Sequence, residues 1–241
     1  MNLSVIIPVL NERAGLPETV RQVQVCLPGA EIVVADGGSG DGTREWVREC
    51  PELTLADSER GRGPQMNAGA GVASGDVLLF LHADCLLPQS AGLAIYGALA
   101  DPAIVGGAFQ VCFPGGCSPA LHRLARLINF RSRLVSEATG DQAIFVRRTA
   151  FVAAGGFPNW PLFEDMDFVS RLKRHGRFRI MPAFVTISPR RWDAHGVWRA
   201  SLLMCLLYVG YKAGVAPKTL KRWFVDVRPL KAISQKAERG E

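Results

Sequence analysis

The sequence predicts an α/β protein with a mostly parallel central sheet flanked by helices, and a helical appendage at the C-terminal end. One observation is that short apolar runs, rich in β-branched residues, alternate with stretches patterned like helices. A second is that hydrophobicity within those runs is continuous, as in EIVVAD and DVLLFLHAD, which is typical of strands buried on both faces. A third is composition: 241 residues with 48% hydrophobic and 8% aromatic side chains exclude the disordered, collagenous and fibrous classes.

The elements predicted in the first half alternate along the chain. The strand-like runs are Ser4–Pro8, Glu31–Ala35 and Val77–Leu81, and the helix-like stretches between them include Leu16–Cys26 and Thr43–Glu49. Such alternation indicates a parallel sheet covered by helices.

The pattern changes from about Val105 onward. The segment GGAFQVCFPGGC predicts a turn between extended segments, and Leu121–Val135 is a basic amphipathic run. Further on, the apolar stretch Ala200–Tyr211 is shorter than the roughly 20 residues that a membrane-spanning helix needs. We therefore expect two halves of one domain and a helical, basic tail, with bounds 1–104, 105–195 and 196–241.

Positive charge is concentrated near the C-terminal end. The net charge is +6, and residues 212–241 hold eight Lys or Arg against three Asp or Glu. The simplest interpretation is a solvent-exposed tail, and the sharper one is a peripheral membrane contact through 197–236, with the tail against lipid phosphates. Because the rest of the chain is almost neutral, nucleic-acid binding is not expected.

The expected location is the cytoplasm. The six cysteines include no CxxC pair, which favours a reducing compartment, and the N-terminal segment has no basic region or small-residue cleavage site of a signal peptide. A peripheral position at the inner face of the membrane is the alternative that the basic tail leaves open.

Polar residues follow the predicted strands. In an open parallel sheet the ligand crevice lies beyond the carboxyl ends of the strands, so Asn11, Glu12, Asp36 and Asp84 are expected to converge on one rim. The alternative is that each residue serves locally as a turn or N-cap residue. Three strands that end alike favour convergence.

Asp84 is the best candidate for a metal ligand. A carboxylate oxygen at a strand end can hold Mg²⁺ or Mn²⁺ while phosphate oxygens and waters complete the coordination. His82 and His195 could supply further contacts, although a lone histidine is more often structural.

A second acidic cluster lies in the segment FEDMDF. Glu164, Asp165 and Asp167 open an amphipathic helix, where acids also stabilise the helix dipole. Capping alone does not need three acids. The sequence contains no GxxxxGK[ST], HExxH or GxSxG pattern, which disfavours nucleotide hydrolysis, zinc peptidase and serine hydrolase chemistry.

Taken in order, SVIIPVLNE, VVADGGSGDGT, LLFLHAD, GDQAIF, FEDMDF and SPRRW resemble the motifs of family-2 glycosyltransferases of the GT-A fold, over about residues 1–195. The segment RGRGPQMNAGAGVASGDVLLFLHAD is also similar to a small bacterial subgroup associated with arsenosugar biosynthesis. The resemblance implies that 1–104 is the nucleotide-sugar-binding half and 105–195 the acceptor-binding and catalytic half.

The resemblance implies donor-side roles for matching positions. Those at the nucleotide are Pro8, Asn11, Glu12, Asp36, Arg62 and His82. Gly37 stands where the family has a second acid, which leaves the base unspecified. Asp84 keeps the metal-binding acid of the Asp-x-Asp motif, whose first acid is replaced by His82.

The resemblance also implies a catalytic base and acceptor contacts. Asp165 matches the base, with Glu164 beside it. Arg190, Arg191 and Trp192 match the end of a Gln-x-x-Arg-Trp motif without its Gln, which argues against a processive synthase. The expected acceptor-binding residues are Gly140, Asp141, Gln142, Trp160, Arg191 and Trp192.

The implied reaction is inverting transfer of a sugar from a nucleotide-diphosphate sugar to a hydroxyl of a small-molecule or lipid acceptor, with Mg²⁺ or Mn²⁺ as cofactor. Two alternatives stay open: a nucleotidyltransferase acting on sugar phosphates, and a non-catalytic nucleotide-sugar-binding module at the membrane. The acids of FEDMDF favour an enzyme, because binding alone does not require a base opposite the metal.

Overall fold

Residues 1–224 are described in the computed structural model of the chain. They divide into two compact units, Met1–Ile187 and one that begins at Ser188. The strands are β1 (Leu3–Val9), β2 (Glu31–Asp36), β3 (Leu53–Asp57), β4 (Val77–Phe80), β5 (Cys85–Leu86), β6 (Ile104–Cys112), β7 (Ile144–Arg147) and β8 (Arg177–Ile187). The helices of the first unit are α1 (Leu16–Cys26), α2 (Thr43–Glu49), α3 (Arg62–Val72), α4 (Ala91–Leu99), α5 (Pro119–Val135), α6 (Arg148–Ala153) and α7 (Glu164–Leu172), with a short 3-10 helix, η1 (Gly140–Gln142). The second unit contains α8 (Arg190–His195), α9 (Val197–Lys212) and α10 (Pro217–Lys221).

The eight strands of the described chain form one sheet in the order β3-β2-β1-β4-β7-β6-β8-β5. The pairs among β3, β2, β1 and β4 are parallel, β7 is antiparallel to both of its neighbours, and β8 runs parallel to β6. The predicted α/β class with a mostly parallel sheet is confirmed, and the antiparallel strands β7 and β5 are additions that the sequence did not indicate.

Strand β1 marks the topological switch point of the sheet, because β2 and β3 lie on one side of it and β4 lies on the other. Its partners keep their carboxyl ends together: Val9 pairs with Asp36, and Ile6 pairs with Phe80. Ligands of open parallel sheets bind at such a point. The loops after β1, β2 and β4 therefore share one rim.

The expected turn in the glycine-rich segment is placed differently in the structure. Gly106 and Gly107 lie inside β6, where each pairs with β7 on one side and β8 on the other. A Cβ on Gly107 would come 2.4 Å from the carbonyl oxygen of Arg179, so glycine is required there for close approach of the strands. The turn follows at 114–117, and the next element is α5 instead of a second extended segment.

Four phenylalanines fasten α6 and α7 to the sheet. Phe157 lies 4.8 Å from Phe80 and 4.3 Å from Phe168 between ring centroids, and Phe151 lies 5.5 Å from both of those partners. Asn67 of α3 adds polar contacts, because its amide donates to the Phe157 carbonyl and accepts from the Phe157 N–H. The start of α7 is thereby held against a buried aromatic cluster.

Helix α5 packs on β6 through one face only. Its buried residues are Leu121, Ala125, Asn129 and Ser132. The Asn129 amide bonds both the N–H and the carbonyl of Val111, each at 2.8 Å, which fixes the helix to the strand. Because a helix repeats every 3.6 residues, this contact leaves its opposite face on the outside.

Helix α9 presents an apolar stripe to solvent. Trp198, Leu202, Leu206 and Val209 are all more than half exposed. In the described part of the chain, no helix is long and apolar enough to span a bilayer, as the length of the apolar stretch predicted. The part of the predicted membrane contact from 225 to 236 lies outside the described residues.

Candidate active site

The loops that follow β1 and β2 are hydrogen-bonded to each other. Asn11, in a left-handed conformation with φ of 55°, donates its N–H to Ser39 Oγ, and its side-chain oxygen accepts from the Gly40 N–H at 2.9 Å. The Glu12 N–H donates to Thr43 Oγ1. Asn11 and Glu12 are thus held on the rim beside the end of β2, as the sequence predicted.

Asp36 is a buried anion at the end of β2. Its Oδ2 accepts hydrogen bonds from the N–H groups of Gly38 and Ser39 and from Arg44, all within 3.0 Å. Burial alone would raise the pKa of Asp36, but these bonds to the ionised form outweigh it and lower the pKa. Its other oxygen, Oδ1, is buried and has no hydrogen-bond partner among the described residues, which leaves one acceptor for a ligand.

Arg44 connects the ends of two strands. Besides Asp36 it contacts Asp57, the last residue of β3, at 2.6 Å. Sequence reasoning missed Arg44. The sequence did contain an indication of its role. Arg44 is the second residue of α2, where the helix dipole disfavours a cation, so an arginine there points to a nearby anion.

Gly37 is glycine because Gln65 occupies the neighbouring space. A Cβ at Gly37 would lie 3.0–3.1 Å from the Gln65 amide group. That amide is buried and donates to the carbonyls of Val9 and Ala35, so it cannot move without losing both hydrogen bonds. A glutamine of α3 therefore fills the place next to the position where the family has its second acid.

His82 follows β4 and is oriented by a residue far along the chain. Its Nδ1 lies 2.9 Å from Asp141 Oδ1. Since a carboxylate accepts the hydrogen bond, we place the hydrogen on Nδ1 and the lone pair on Nε2. His82 Nε2 is buried and has no hydrogen-bond partner among the described residues. The ring therefore offers one oriented, unused nitrogen.

Gly140, the first residue of η1, contacts both halves of the site. Its N–H donates to Asp165 Oδ2 at 2.5 Å, and a Cβ on it would lie 2.6 Å from His82 Nε2. Asp165 Oδ1 accepts from the Met166 N–H at the start of α7. The imidazole that follows β4 and the carboxylate that begins α7 therefore lie against one glycine.

Arg62, the first residue of α3, is a cation placed among the acids of the site. The negative charges that act on it are those of Glu164, Asp141, Asp165 and Asp84. Burial would lower the pKa of the Arg62 guanidinium, but the four carboxylates outweigh burial and raise the pKa. The structure thus brings Asp84 from the strand-end group and Glu164 and Asp165 from the second acidic cluster near one arginine.

Both carboxyl groups at the start of α7 are buried. Burial, together with the charge of Asp165, raises the pKa of Glu164 to about 7 from an ordinary value of 4.5. Burial also raises the pKa of Asp165, although hydrogen bonds from Gly140 and Met166 act in the opposite direction. A carboxylate with a raised pKa is a stronger base than an exposed one, which suits proton abstraction.

The third acid of the cluster has a different place. Asp167 pairs with Arg171 one turn further along α7, at 2.7 Å. Arg171 also donates to the carbonyls of Ala154 and Gly156. Asp167 therefore supports the fold of α7 and its neighbouring loop.

A divalent cation fits the residues after β4. A coordinating atom from each of His82, Asp84 and Cys85 lies within 4.8 Å of the other two. The Cys85 thiol is a poor ligand, because burial and the charge of Asp84 raise its pKa well above the ordinary value. One carboxylate and one imidazole nitrogen remain, a donor set that suits Mn²⁺, with phosphate oxygens as further ligands.

The expected acceptor residues of the first unit differ in exposure. Gln142 is fully buried: its oxygen accepts from the Thr139 N–H and the Ser132 hydroxyl, and its amide donates to the Phe109 carbonyl. Trp160 is half-buried in the loop before α7. Gln142 holds η1 in place, and its acceptor role, like that of Trp160, stays a prediction.

The remaining predicted residues lie in the second unit. Arg191 stacks on the Phe224 ring at 5.2 Å, Trp192 is buried, and His195 is the last residue of α8. The metal role of His195 and the acceptor roles of Arg191 and Trp192 stay predictions.

The sheet order and the helices that flank the sheet are those of the GT-A fold. Residues 4–152 match the family described as Glycosyl transferase family 2, and the chain belongs to that family.

The curated relatives are longer proteins. The glycosyltransferase AglE of Haloferax volcanii is 30% identical over 176 residues, which are 65% of this chain and 56% of the relative. The dolichol-phosphate mannosyltransferase of Pyrococcus furiosus is 36% identical over 95 residues, 36% of this chain and 27% of the relative. The chain thus spans about half or less of the length of these relatives.

Two solved structures share the fold. The mannosyltransferase PcManGT of Pyrobaculum calidifontis, in complex with GDP-Man and Mn²⁺, has a TM-score of 0.66 at 22% identity, covering 88% of this chain and 64% of the other. The glucosyl-3-phosphoglycerate synthase of Mycobacterium tuberculosis, in complex with Mn²⁺, UDP and glucosyl-3-phosphoglycerate, has a TM-score of 0.58 at 19% identity, covering 85% and 78%. At these identities the likeness concerns the fold.

Proposed function

We propose that this chain transfers a sugar from a nucleotide-diphosphate sugar to an acceptor hydroxyl, with inversion at the anomeric carbon. The observation that carries the proposal is the contact of Gly140 with both His82 and Asp165, which joins the expected donor side of the site to the expected base. One hydroxyl held near Asp165 would then face a sugar whose diphosphate lies near Asp84.

The barrier of this reaction lies in breaking the bond between the anomeric carbon and the diphosphate oxygen. The transition state is oxocarbenium-like, and negative charge builds on the departing diphosphate. Arg62 is a fixed cation that favours this charge, since a guanidinium stays protonated at neutral pH and the nearby acids raise its pKa further. Mg²⁺ or Mn²⁺ held by Asp84 and His82 would supply Lewis-acid neutralisation of the same charge.

Asp165 is the proposed general base. It takes the proton of the acceptor hydroxyl as the oxygen attacks the face opposite the diphosphate, and one displacement inverts the centre. Its raised pKa makes it basic enough for this step, and the N–H groups of Gly140 and Met166 hold its two oxygens in place. Glu164, with a pKa of about 7, is a second buried carboxyl beside it that holds a proton up to neutral pH.

The nucleotide is proposed to bind along the edge formed by β1 and β2. Asp36 Oδ1 supplies an acceptor without a partner among the described residues. Pro8 lies near the end of β1, and Asn11 and Glu12 lie in the loop that follows it. The complexes of the solved neighbours with GDP-Man and with UDP support a nucleotide donor of this kind. The arsenosugar subgroup rests on the resemblance of residues 60–84 alone.

The acceptor is proposed to approach η1 and the loop before α7, where Gly140, Asp141 and Trp160 are placed. Asp141 acts on the donor side as well, because it orients His82. A lipid acceptor is supported by the relative named for dolichol phosphate. The exposed stripe of α9 supports a peripheral contact with the inner face of the membrane.

Family membership and the buried Glu164 and Asp165 favour glycosyl transfer over the two alternatives, nucleotidyl transfer and binding without catalysis. The decisive assay incubates the protein with a panel of nucleotide-diphosphate sugars and Mn²⁺ or Mg²⁺. We expect release of a free nucleoside diphosphate, slowly to water and faster with acceptor. Pyrophosphate formed from a nucleoside triphosphate and a sugar phosphate would instead identify a nucleotidyltransferase.

The metal site is tested by Asp84→Ala. We expect the variant to lose the increase in UDP or GDP affinity that Mn²⁺ gives to the unsubstituted protein, measured by calorimetry. Glu49→Ala, which removes an exposed acid at the end of α2, is the control. Equal Mn²⁺ dependence in the two variants would remove Asp84 from the site.

A further inference from the structure

Helix α5 has an outer face that combines apolar and basic side chains. Leu127, Phe130 and Leu134 are 64%, 59% and 72% exposed, and their spacing of three and four residues puts them in one stripe. Arg126 and Arg133 are exposed beside that stripe. The 17 residues of α5 hold four arginines and no acidic residue.

The fold does not need this outer stripe. The inner face already holds α5 on β6 through Leu121, Ala125 and the two Asn129 hydrogen bonds. An exposed stripe of large apolar residues costs solubility, and it persists in folded proteins mostly where another surface covers it. A basic polar margin around an apolar stripe is the pattern of a helix that lies in the interface of an anionic membrane.

We propose that α5 is a docking helix for an anionic lipid bilayer. Leu127, Phe130 and Leu134 enter the boundary between headgroups and acyl chains, and Arg126 and Arg133 contact lipid phosphates. The charge of the helix favours this occupant, because α5 has three exposed arginines, Arg123, Arg126 and Arg133, and no acidic residue, which makes it complementary to a layer of phosphates. Lys173, whose Nζ donates to the Val135 carbonyl at the end of α5, adds a further cation at the same place.

The helix is connected directly to the proposed acceptor side. Ser132 on its inner face donates to Gln142 Oε1, and Gln142 fixes the short helix that carries Gly140 and Asp141. A bilayer on the outer face of α5 therefore lies one helix thickness, about 10 Å, from η1. The docking surface thus presents the site to an acceptor borne by lipid, a step that rests on the proposed function.

The test measures binding of the full chain to vesicles of phosphatidylcholine with and without phosphatidylglycerol, by flotation. We expect binding to require phosphatidylglycerol and to weaken at high salt. Phe130→Glu with Leu134→Glu should lower vesicle affinity by tenfold or more, about the effect of removing two partly buried apolar side chains. Arg126→Gln with Arg133→Gln should lower it about fivefold for each arginine.

The control is Leu93→Glu, which replaces one apolar side chain by glutamate at a residue of α4 that is 83% exposed. Thermal unfolding checks that every variant folds, which is expected because all the changed side chains are exposed. The proposal would be overturned if the Phe130 and Leu134 variant bound vesicles as tightly as the control. That result is expected if the outer face of α5 binds another protein instead of a bilayer. Donor hydrolysis without vesicles tests the proposed function separately, so the two ideas can fail independently.

Discussion

Replacement of Asp165 by asparagine tests the proposed base with little change in shape. The carboxylate accepts two backbone hydrogen bonds, from Gly140 at 2.5 Å and Met166 at 2.7 Å, and its side chain is buried. Asparagine keeps one acceptor oxygen but turns an NH₂ group toward the second N–H. It has no lone pair basic enough to take the proton of an acceptor hydroxyl.

The expected loss of turnover is about 10²–10⁴-fold, the usual contribution of a general base. Each tenfold step corresponds to about 1.4 kcal/mol, so the transition state loses roughly 3–5 kcal/mol of stabilisation. Affinity for UDP or GDP should stay within about twofold, because Asp165 acts on the acceptor proton and the nucleotide binds beside β1 and β2.

The stability of the Asp165→Asn variant should depend on pH. The folded protein raises the pKa of Asp165, which means that burial and nearby acids disfavour its ionised form more than the two N–H groups favour it. The ionised group therefore lowers the free energy of unfolding once the pH exceeds its ordinary value of 3.8. A neutral asparagine avoids this cost but loses one of the two backbone hydrogen bonds, so we expect the melting temperature of the variant, relative to the unsubstituted protein, to rise as the pH increases above 3.8.

The assay combines turnover, nucleotide affinity and thermal unfolding on one preparation. Asp167→Asn is the matched control, since Asp167 lies in the same helix but pairs with Arg171. It should keep turnover and lose about 0.5 kcal/mol of stability. Turnover of Asp165→Asn equal to that of this control would refute the assignment of the base. A difference in melting temperature that does not change with pH would refute the argument from the raised pKa.

Three further predictions concern neighbouring positions. The pKa of Glu164 is about 7 in the folded protein and 4.5 ordinarily, so ionisation of Glu164 lowers the free energy of unfolding by about 3 kcal/mol as the pH rises from 4.5 to 7. Glu164→Gln should remove this pH dependence of the free energy of unfolding, measured by urea titration at several pH values. Gly140→Ala should lower turnover about 100-fold, because the new Cβ would lie only 2.6 Å from His82 Nε2 and would displace the imidazole ring. Its control is Gly71→Ala, where a Cβ has open space; this variant should keep turnover and be more stable by up to about 1 kcal/mol. Arg44→Ala removes a charge-assisted bond to Asp36 and should weaken UDP or GDP binding about tenfold in calorimetry; unchanged affinity would refute its role.

Local pattern was sufficient to predict the parts of the fold that depend on burial. Continuous apolar runs located β1, β2 and β4, and the bounds of α1 and α2 agree with the predicted Leu16–Cys26 and Thr43–Glu49. The acids at the ends of these strands follow from the same pattern, because parallel strands carry their functional groups at one edge.

Contacts between distant residues could not be predicted in this way. His82 and Asp141 are 59 positions apart, and nothing in either segment indicates that the acid orients the ring. The polar side chain of Gln142 was predicted to bind the acceptor, and nothing in the sequence indicates that its amide is buried and holds η1 in place. Such roles depend on which loops the sheet order brings together. Because β7 pairs antiparallel with β4, η1 before β7 lies next to His82 after β4.

The packing of Gln65 against Gly37 restricts the order in which these two positions can evolve. An aspartate introduced at 37 would meet an amide that two strand-end carbonyls hold in place, so the change would be deleterious while Gln65 is present. A smaller residue at 65 would have to appear first, and by itself it would remove two buried hydrogen bonds, although the Val9 carbonyl would keep the bond from the Gly37 N–H. Each single step is disfavoured although the double change is sterically acceptable, a case of reciprocal epistasis that would separate lineages with one acid after β2 from those with two.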